Sequence, residues 1–133
     1  MREFDNDTIK IITMFENITG SEVRDCLLNE EMIYFLVNPG KAAMAIGKGG
    51  QMIKIAEKML KKPIKVYEYS EDVHQFVKNL IPQAQKIKIE NGNVSVSVGN
   101  KERGIVIGRA GSKIKKLREL LVRNSDLKDL RIV

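Results

Sequence analysis

Ala45-Ile46-Gly47-Lys48-Gly49-Gly50-Gln51-Met52-Ile53-Lys54 has a second copy further along the chain, Val106-Ile107-Gly108-Arg109-Ala110-Gly111-Ser112-Lys113-Ile114-Lys115. The glycines stand in register, Gly47 with Gly108 and Gly50 with Gly111, at a constant offset of 61 residues. A repeat of this kind sets the architecture before any single element is read. Two glycines bracketing two residues make a sharp turn with little bulk and with access to positive φ. In both copies an apolar-periodic stretch starts directly behind the second glycine.

The surroundings repeat as well. Ahead of the first copy, Ile11, Ile12, Phe15 and Ile18 recur at helical spacing within 7–18, and Gly20 is a natural stop. Two strand-like runs follow, Val23 to Leu28 and Met32 to Val37, joined by Asn29-Glu30-Glu31, and Pro39-Gly40 breaks the second run. Behind the motif, Met52, Ile55, Ala56, Met59 and Leu60 predict a helix that Pro63 ends, and Ile64 to Tyr69 predicts a strand. The second half has the same order. Glu71 to Leu80 reads as a helix closed by Pro82, and Ile87 to Glu90 and Val94 to Val98 flank Asn91-Gly92, a two-residue hairpin signal. Val94-Ser95-Val96-Ser97-Val98 alternates as a half-buried strand requires. Ile114, Leu117, Leu120 and Leu121 form a helical stripe, and Asp129 to Val133 reads as a last strand. Each unit therefore predicts helix, strand, strand, short helix, glycine loop, helix, strand, over 1–70 and 71–133. Units this small have marginal cores alone, so the two are expected to pack on each other through a short, stiff connection near Ser70.

The chain has 133 residues and a net charge of +6, but the charge is unevenly spread. Residues 1–39 carry −5, 40–70 carry +5, 71–100 are neutral and 101–133 carry +6. Both basic blocks contain a glycine loop, and basic excess placed in patches is the footprint of a polyanion partner. The hydrophobic content of 43% allows a packed core. One cysteine, Cys26, and one histidine, His74, exclude an internal disulfide and a Cys/His zinc cluster. The N-terminal Met-Arg-Glu-Phe-Asp-Asn-Asp has no apolar stretch of signal-peptide type, and no run nears the roughly 18 apolar residues of a membrane span. A cytoplasmic protein with no membrane association, no cofactor and no small-molecule substrate is expected.

The loops suit phosphate. The helices begin at Gly50-Gln51 and Gly111-Ser112, where unpaired N–H groups and the positive dipole end favour an anion. Lys48 and Arg109 add charge within the loops, and an arginine binds phosphate in a bidentate way. Lys54, Lys113, Lys115, Lys116 and Arg118 extend the positive surface. Ile46, Ile53, Ile107 and Ile114 predict the apolar side of a groove for bases.

Ile-Gly-Lys-Gly-Gly and Ile-Gly-Arg-Ala-Gly resemble the GXXG loops of KH domains, which clamp the backbone of about four nucleotides. The helix and strand that precede each loop, and the end of each unit one strand after the second helix, resemble the type II arrangement. That resemblance implies an α+β fold of two tandem type II KH domains, each a three-stranded mixed sheet with three helices on one face. As a pair filling the chain, they resemble the archaeal NusA-like transcription termination/antitermination factors. This resemblance implies binding of nascent single-stranded RNA beside transcribing RNA polymerase. The longer bacterial relatives carry a polymerase-binding segment and an oligonucleotide-binding barrel ahead of the KH pair. This chain has neither, so the polymerase contact carries over only loosely.

Other readings fit less well. Neither loop satisfies the Walker pattern, and Met52 stands where a dinucleotide fingerprint would need its third glycine. Cys26 sits in a predicted strand as a small packing residue, and His74 near a helix start, so a catalytic pair is not favoured. The seven aromatics, Phe4, Phe15, Tyr34, Phe35, Tyr67, Tyr69 and Phe76, lie away from the loops and predict core packing. Glu3, Asp5 and Asp7 read as helix-start acids, with contact to a basic partner as the alternative. The remaining rivals are a KH protein of ribosome assembly or RNA processing, a scaffold whose KH units no longer bind RNA, and a structural first unit beside a binding second one.

Overall fold

In the computed structural model, which describes residues 4–133, the capping residues decide where the first helix lies. Asp5 accepts a hydrogen bond from the Thr8 N–H at 2.7 Å and opens α1 (Asn6–Thr19). That bond holds the Asp5 carboxyl below its ordinary pKa. Gly20, at φ 73°, closes the helix by returning its N–H to the Glu16 carbonyl. Glu3, read from sequence with these acids, lies outside the described residues.

The chain divides into two compact units, Met1–Tyr69 and Ser70–Val133. In the first, β1 (Val23–Leu28) pairs antiparallel with β2 (Ile33–Val37), and β2 pairs parallel with β3 (Ile64–Glu68). The sheet order is β1-β2-β3. A bulge between Val23 and Asp25 shifts the β1 register, and the Arg24 guanidinium lies 3.7 Å from the Tyr69 ring centroid. Between β2 and β3 the chain runs through α2 (Ala42–Ile46), a single 3-10 turn (Lys48–Gly50) and α3 (Gln51–Leu60). A parallel pair needs such a crossover, and the glycine loop lies in the middle of it. The core gathers Phe15 from α1, Cys26 from β1, Ile33, Phe35 and Val37 from β2, Ala45 from α2, Ala56 from α3 and Ile64 from β3. Phe15 stacks on Phe35 with ring centroids 3.8 Å apart. All of Ile33–Val37 is buried, which is why that run is apolar without alternation.

The second unit repeats the plan. Helix α4 (Val73–Leu80) starts two residues later than the sequence pattern predicts, because Asp72 caps it. The Asp72 carboxylate accepts from the His74 N–H at 3.0 Å and from the Gln75 N–H at 3.2 Å. β4 (Lys86–Glu90) and β5 (Asn93–Ser97) pair antiparallel down to Glu90 opposite Asn93. Asn91 at φ 53° and Gly92 at φ 82° form the turn, the two positive angles of type I′. The crossover to the parallel strand β6 (Asp129–Ile132) runs through α5 (Asn100–Ile107), a 3-10 turn (Arg109–Gly111) and α6 (Ser112–Arg123). Phe76, Val77, Leu80, Val94, Val96, Val106, Leu117, Leu120, Leu121 and Leu130 are its main buried side chains. No helix among the described residues is long and apolar enough to cross a membrane. Cys26 is buried in β1, His74 is exposed on α4, and of the aromatics only Phe4 and Tyr69 are not classed as buried.

Candidate nucleic-acid interface

The two glycines of each loop serve different ends. Gly47 has φ 77° and ψ 166°, and Gly108 has φ 78° and ψ 174°, a region that is essentially glycine-only. They are also sterically closed. A Cβ on Gly47 would stand 2.6 Å from Met52 Cγ, and one on Gly108 would stand 2.6 Å from Lys113 Cβ. Met52 and Lys113 hold equivalent places five residues on, so each first glycine is packed against the first turn of the helix that follows its loop. Gly50 and Gly111, at φ 76° and 74°, are left-handed N-caps of α3 and α6 in open surroundings.

Between the glycines, Gly49 sits at φ 64° and Ala110 at φ 53°, both in the left-handed region. An alanine there carries a strain of about 1–2 kcal/mol. Ala110→Gly relieves it, against about 0.5–1 kcal/mol of added chain entropy in the unfolded state. The expected outcome is a small gain in the melting temperature of unit 2, read by thermal unfolding. A loss would show that the loop does not hold this conformation.

The backbone amides of the loops are used differently from the helix-terminus expectation. Gly50 and Gln51 donate their N–H groups to the carbonyls of Gly47 and Lys48, and Gly111 and Ser112 donate theirs to Gly108 and Arg109. The 3-10 turn thus consumes the amides expected to meet phosphate. The amides of Lys48 and Gly49, and of Arg109 and Ala110, have no backbone acceptor among the described residues. The amides left open therefore lie not at the helix end but within the loop, where Lys48, Gly49, Arg109 and Ala110 are exposed.

The other basic residues are not equivalent. Lys54 and Lys115 are exposed on α3 and α6. Lys113 carries its stem beneath Gly108. Lys116 pairs with Glu119 at 3.5 Å, so its charge is partly offset. Arg118 is no solvated helix cation. Its Nε donates to the Leu130 carbonyl at 2.9 Å and lies 3.1 Å from Asp129 Oδ1, tying α6 to β6.

Ile107 and Ile114 line one cleft, and with Arg118, Arg131 and Ile132 they enclose about 280 Å³ of open space behind the second loop. Arg131 Nε lies 3.3 Å from Asp129 Oδ2, so one carboxylate holds two guanidinium groups. The Leu130 N–H first, then the two arginines, keep the Asp129 carboxyl below its ordinary pKa. Periodicity in the sequence singles out neither Asp129 nor Arg131, because their meeting with Arg118 depends on the register of β6 against β5.

The first unit is built differently at the same places. Ile46 is exposed, while Ile53 packs against the unit 1 core. The offset of 61 that aligns the loops puts Glu57 where Arg118 stands. Glu57 accepts a hydrogen bond from the Ile64 N–H at 2.8 Å, whereas Arg118 donates to a β6 carbonyl. Lys65 opposes Tyr34 as Arg131 opposes Ser95, so Lys65 takes the register place of Arg131 and Pro63 that of Asp129.

Comparison with known proteins agrees with this geometry. The KH domain family matches residues 10–84. The chain is 33% identical over 137 residues to the "Probable transcription termination protein NusA" of Methanococcus vannielii, covering 98% of this chain and 79% of that one. Proteins of the same name match from Thermoplasma acidophilum, at 34% identity over 90% of this chain and 87% of that one, and from Halococcus morrhuae, at 30% over 99% of both. Among solved structures, the crystal structure of APE1850 superposes with a TM-score of 0.76 at 32% identity, covering 98% of this chain and 100% of that one. Two three-stranded mixed sheets, two glycine loops of one geometry and these relatives lead to one assignment: this chain belongs to the KH-domain family, among the archaeal NusA-like proteins.

Proposed function

We propose that residues 1–70 and 71–133 are two type II KH domains in tandem, each with three helices on one face of its sheet, that hold single-stranded RNA by its backbone. The observation that carries this reading is the repetition of one backbone trace by two different loop sequences. The angles are 77°/166° and 78°/174° at the first glycine, 64°/19° and 53°/28° at the third position, and 76°/14° and 74°/12° at the last. Ala110 accepts a left-handed conformation to keep that trace. A loop needed only to turn a corner would not require it. Unengaged amides, small residues and one exposed cation per loop are what a phosphodiester backbone requires. Lys48 and Arg109 are the phosphate partners, Lys54 and Lys115 follow the strand outward, and bases lie toward Ile107 and Ile114 in unit 2 and toward Ile46 in unit 1. The buried position of Cys26 supports a binding module over a thiol enzyme. The name shared by the archaeal relatives supports a role in transcription termination; on this reading the RNA is nascent, antitermination is the companion role and RNA polymerase is a partner.

The test is a titration of short fluorescent single-stranded RNA, across a salt series, with the wild type and two double variants. These are Lys48→Asp with Gly49→Asp, and Arg109→Asp with Ala110→Asp. Aspartate tolerates the left-handed region, and nothing lies within 4 Å of a Cβ at Gly49, so the fold should persist. Each variant is expected to weaken binding at least tenfold, with a wild-type salt slope of about −0.7 per phosphate contacted. Binding unaffected by either change would sink the clamp, and loss in one variant alone would mark the other unit as structural.

A further inference from the structure

The cleft of unit 2 holds a device that backbone clamping does not use. Asp129 engages Arg118 and Arg131 through their Nε atoms, at 3.1 and 3.3 Å. This leaves the terminal Nη groups of both guanidiniums without a hydrogen bond among the described residues. Arg131 has a side chain 71% exposed, yet it is anchored at its base. The rest of the wall is apolar: Ile107, Ile114 and Ile132.

Two ligand groups could meet such a fork, a phosphate or the acceptor edge of a base. Three features favour the base. The carboxylate between the arginines cancels one of their two charges, which weakens the pull on a phosphate. The isoleucine wall suits a flat, weakly polar ring better than a hydrated anion. The loop amides and Arg109 already supply a phosphate site. A guanidinium offers donors only, so the matching edge must present acceptors side by side. Guanine does so with O6 and N7, whereas adenine places an N6 donor beside N7.

We propose that the unit 2 cleft selects guanine, with the Nη fork of Arg131 reading O6 and N7, Asp129 and Arg118 positioning that fork, and the ring lying against Ile107, Ile114 and Ile132. This rests on unit 2 being an RNA-binding module. The depressed pKa of Asp129 keeps the buttress ionised through the neutral and mildly acidic range. Unit 1 lacks the device: Glu57, Pro63 and Lys65 replace Arg118, Asp129 and Arg131. A lysine has no fork. Base selection at this place therefore belongs to the second unit alone.

The experiment uses the full chain with Lys48→Asp and Gly49→Asp, so that the second loop dominates binding. Short uridine RNAs carry one central guanine, inosine, 7-deazaguanine or adenine. Guanine and inosine are expected to bind roughly tenfold tighter than adenine, with 7-deazaguanine falling toward adenine because N7 is gone. Arg131→Ala and Arg131→Lys should both bring the guanine-to-adenine ratio to about one, the lysine variant doing so with its charge intact. Equal affinity for all four RNAs, or a ratio that survives both variants, overturns the guanine assignment and leaves the clamp standing. A uniform weakening of every RNA with the ratio unchanged overturns it in favour of a phosphate contact. If this variant binds no RNA, with circular dichroism unchanged and the wild type still binding, unit 2 is structural and the guanine assignment falls with it; if the wild type binds none either, the clamp falls too.

Discussion

Replacing Gly108 with alanine is expected to destabilise unit 2 by several times more than the same change at Gly111, three residues away. At Gly111 the new Cβ meets only Lys115 Cε, at an ordinary 3.9 Å, and the left-handed φ of 74° alone opposes it, a cost of about 1 kcal/mol. At Gly108 the backbone lies in a glycine-only region, a strain of about 1–3 kcal/mol. The Cβ there would also stand 2.6 Å from Lys113 Cβ and 2.9 Å from Lys113 N. Those atoms belong to or adjoin the main chain of α6 and cannot swing aside, so overpacking adds about 1–3 kcal/mol more. Gly47→Ala should cost nearly as much: its shortest contact, Met52 Cγ at 2.6 Å, has torsional freedom, but Met52 N at 2.9 Å and Met52 Cβ at 3.0 Å are as fixed as their Lys113 counterparts. Thermal unfolding of the single alanine variants at Gly47, Gly50, Gly108 and Gly111 gives the order. Equal shifts at the first and second glycines would refute the division of labour between them.

The second large effect belongs to the core of unit 1. Phe35→Ala removes a ring that is fully buried on the central strand and stacked 3.8 Å from Phe15. Large-to-small changes of this kind cost about 3–5 kcal/mol, a large share of what a unit of this size has. Denaturant unfolding should show unit 1 melting early, with loss of RNA affinity through the first loop, which α2 and α3 carry. Phe35→Leu should restore most of the stability. A cost below about 1 kcal/mol for the alanine variant would mean that the stack is not the centre of the core.

Much of this was legible in sequence because it depends on local order. The duplicated glycines, the alternating valines of β5, the Asn91-Gly92 turn and the stop at Gly20 are each decided within a few residues. What was not legible depends on atoms brought together across elements or on fine hydrogen bonding. The 3-10 turns redirect the amides of Gly50, Gln51, Gly111 and Ser112 inward, which a Gly-x-x-Gly pattern does not reveal. Lys113 reads as one more cation, yet its stem packs against Gly108. Arg118 reads as surface charge, yet β6 arrives where its Nε meets Leu130 and Asp129. Helical spacing gives the face of α6 that Arg118 occupies; it does not give which strand lies beside that face.

The crossover has a consequence for assembly. In each unit the parallel strand, β3 or β6, lies beyond the glycine loop in the chain, and it pairs with a strand that lies before it. The sheet cannot be completed until the chain has reversed through the loop and returned. During synthesis the first two strands of a unit can pair as soon as they emerge, but the third waits for the turn and its helix. A nascent unit with a finished sheet has therefore already had its glycine loop synthesised and turned back, so sheet closure and reversal of the loop go together.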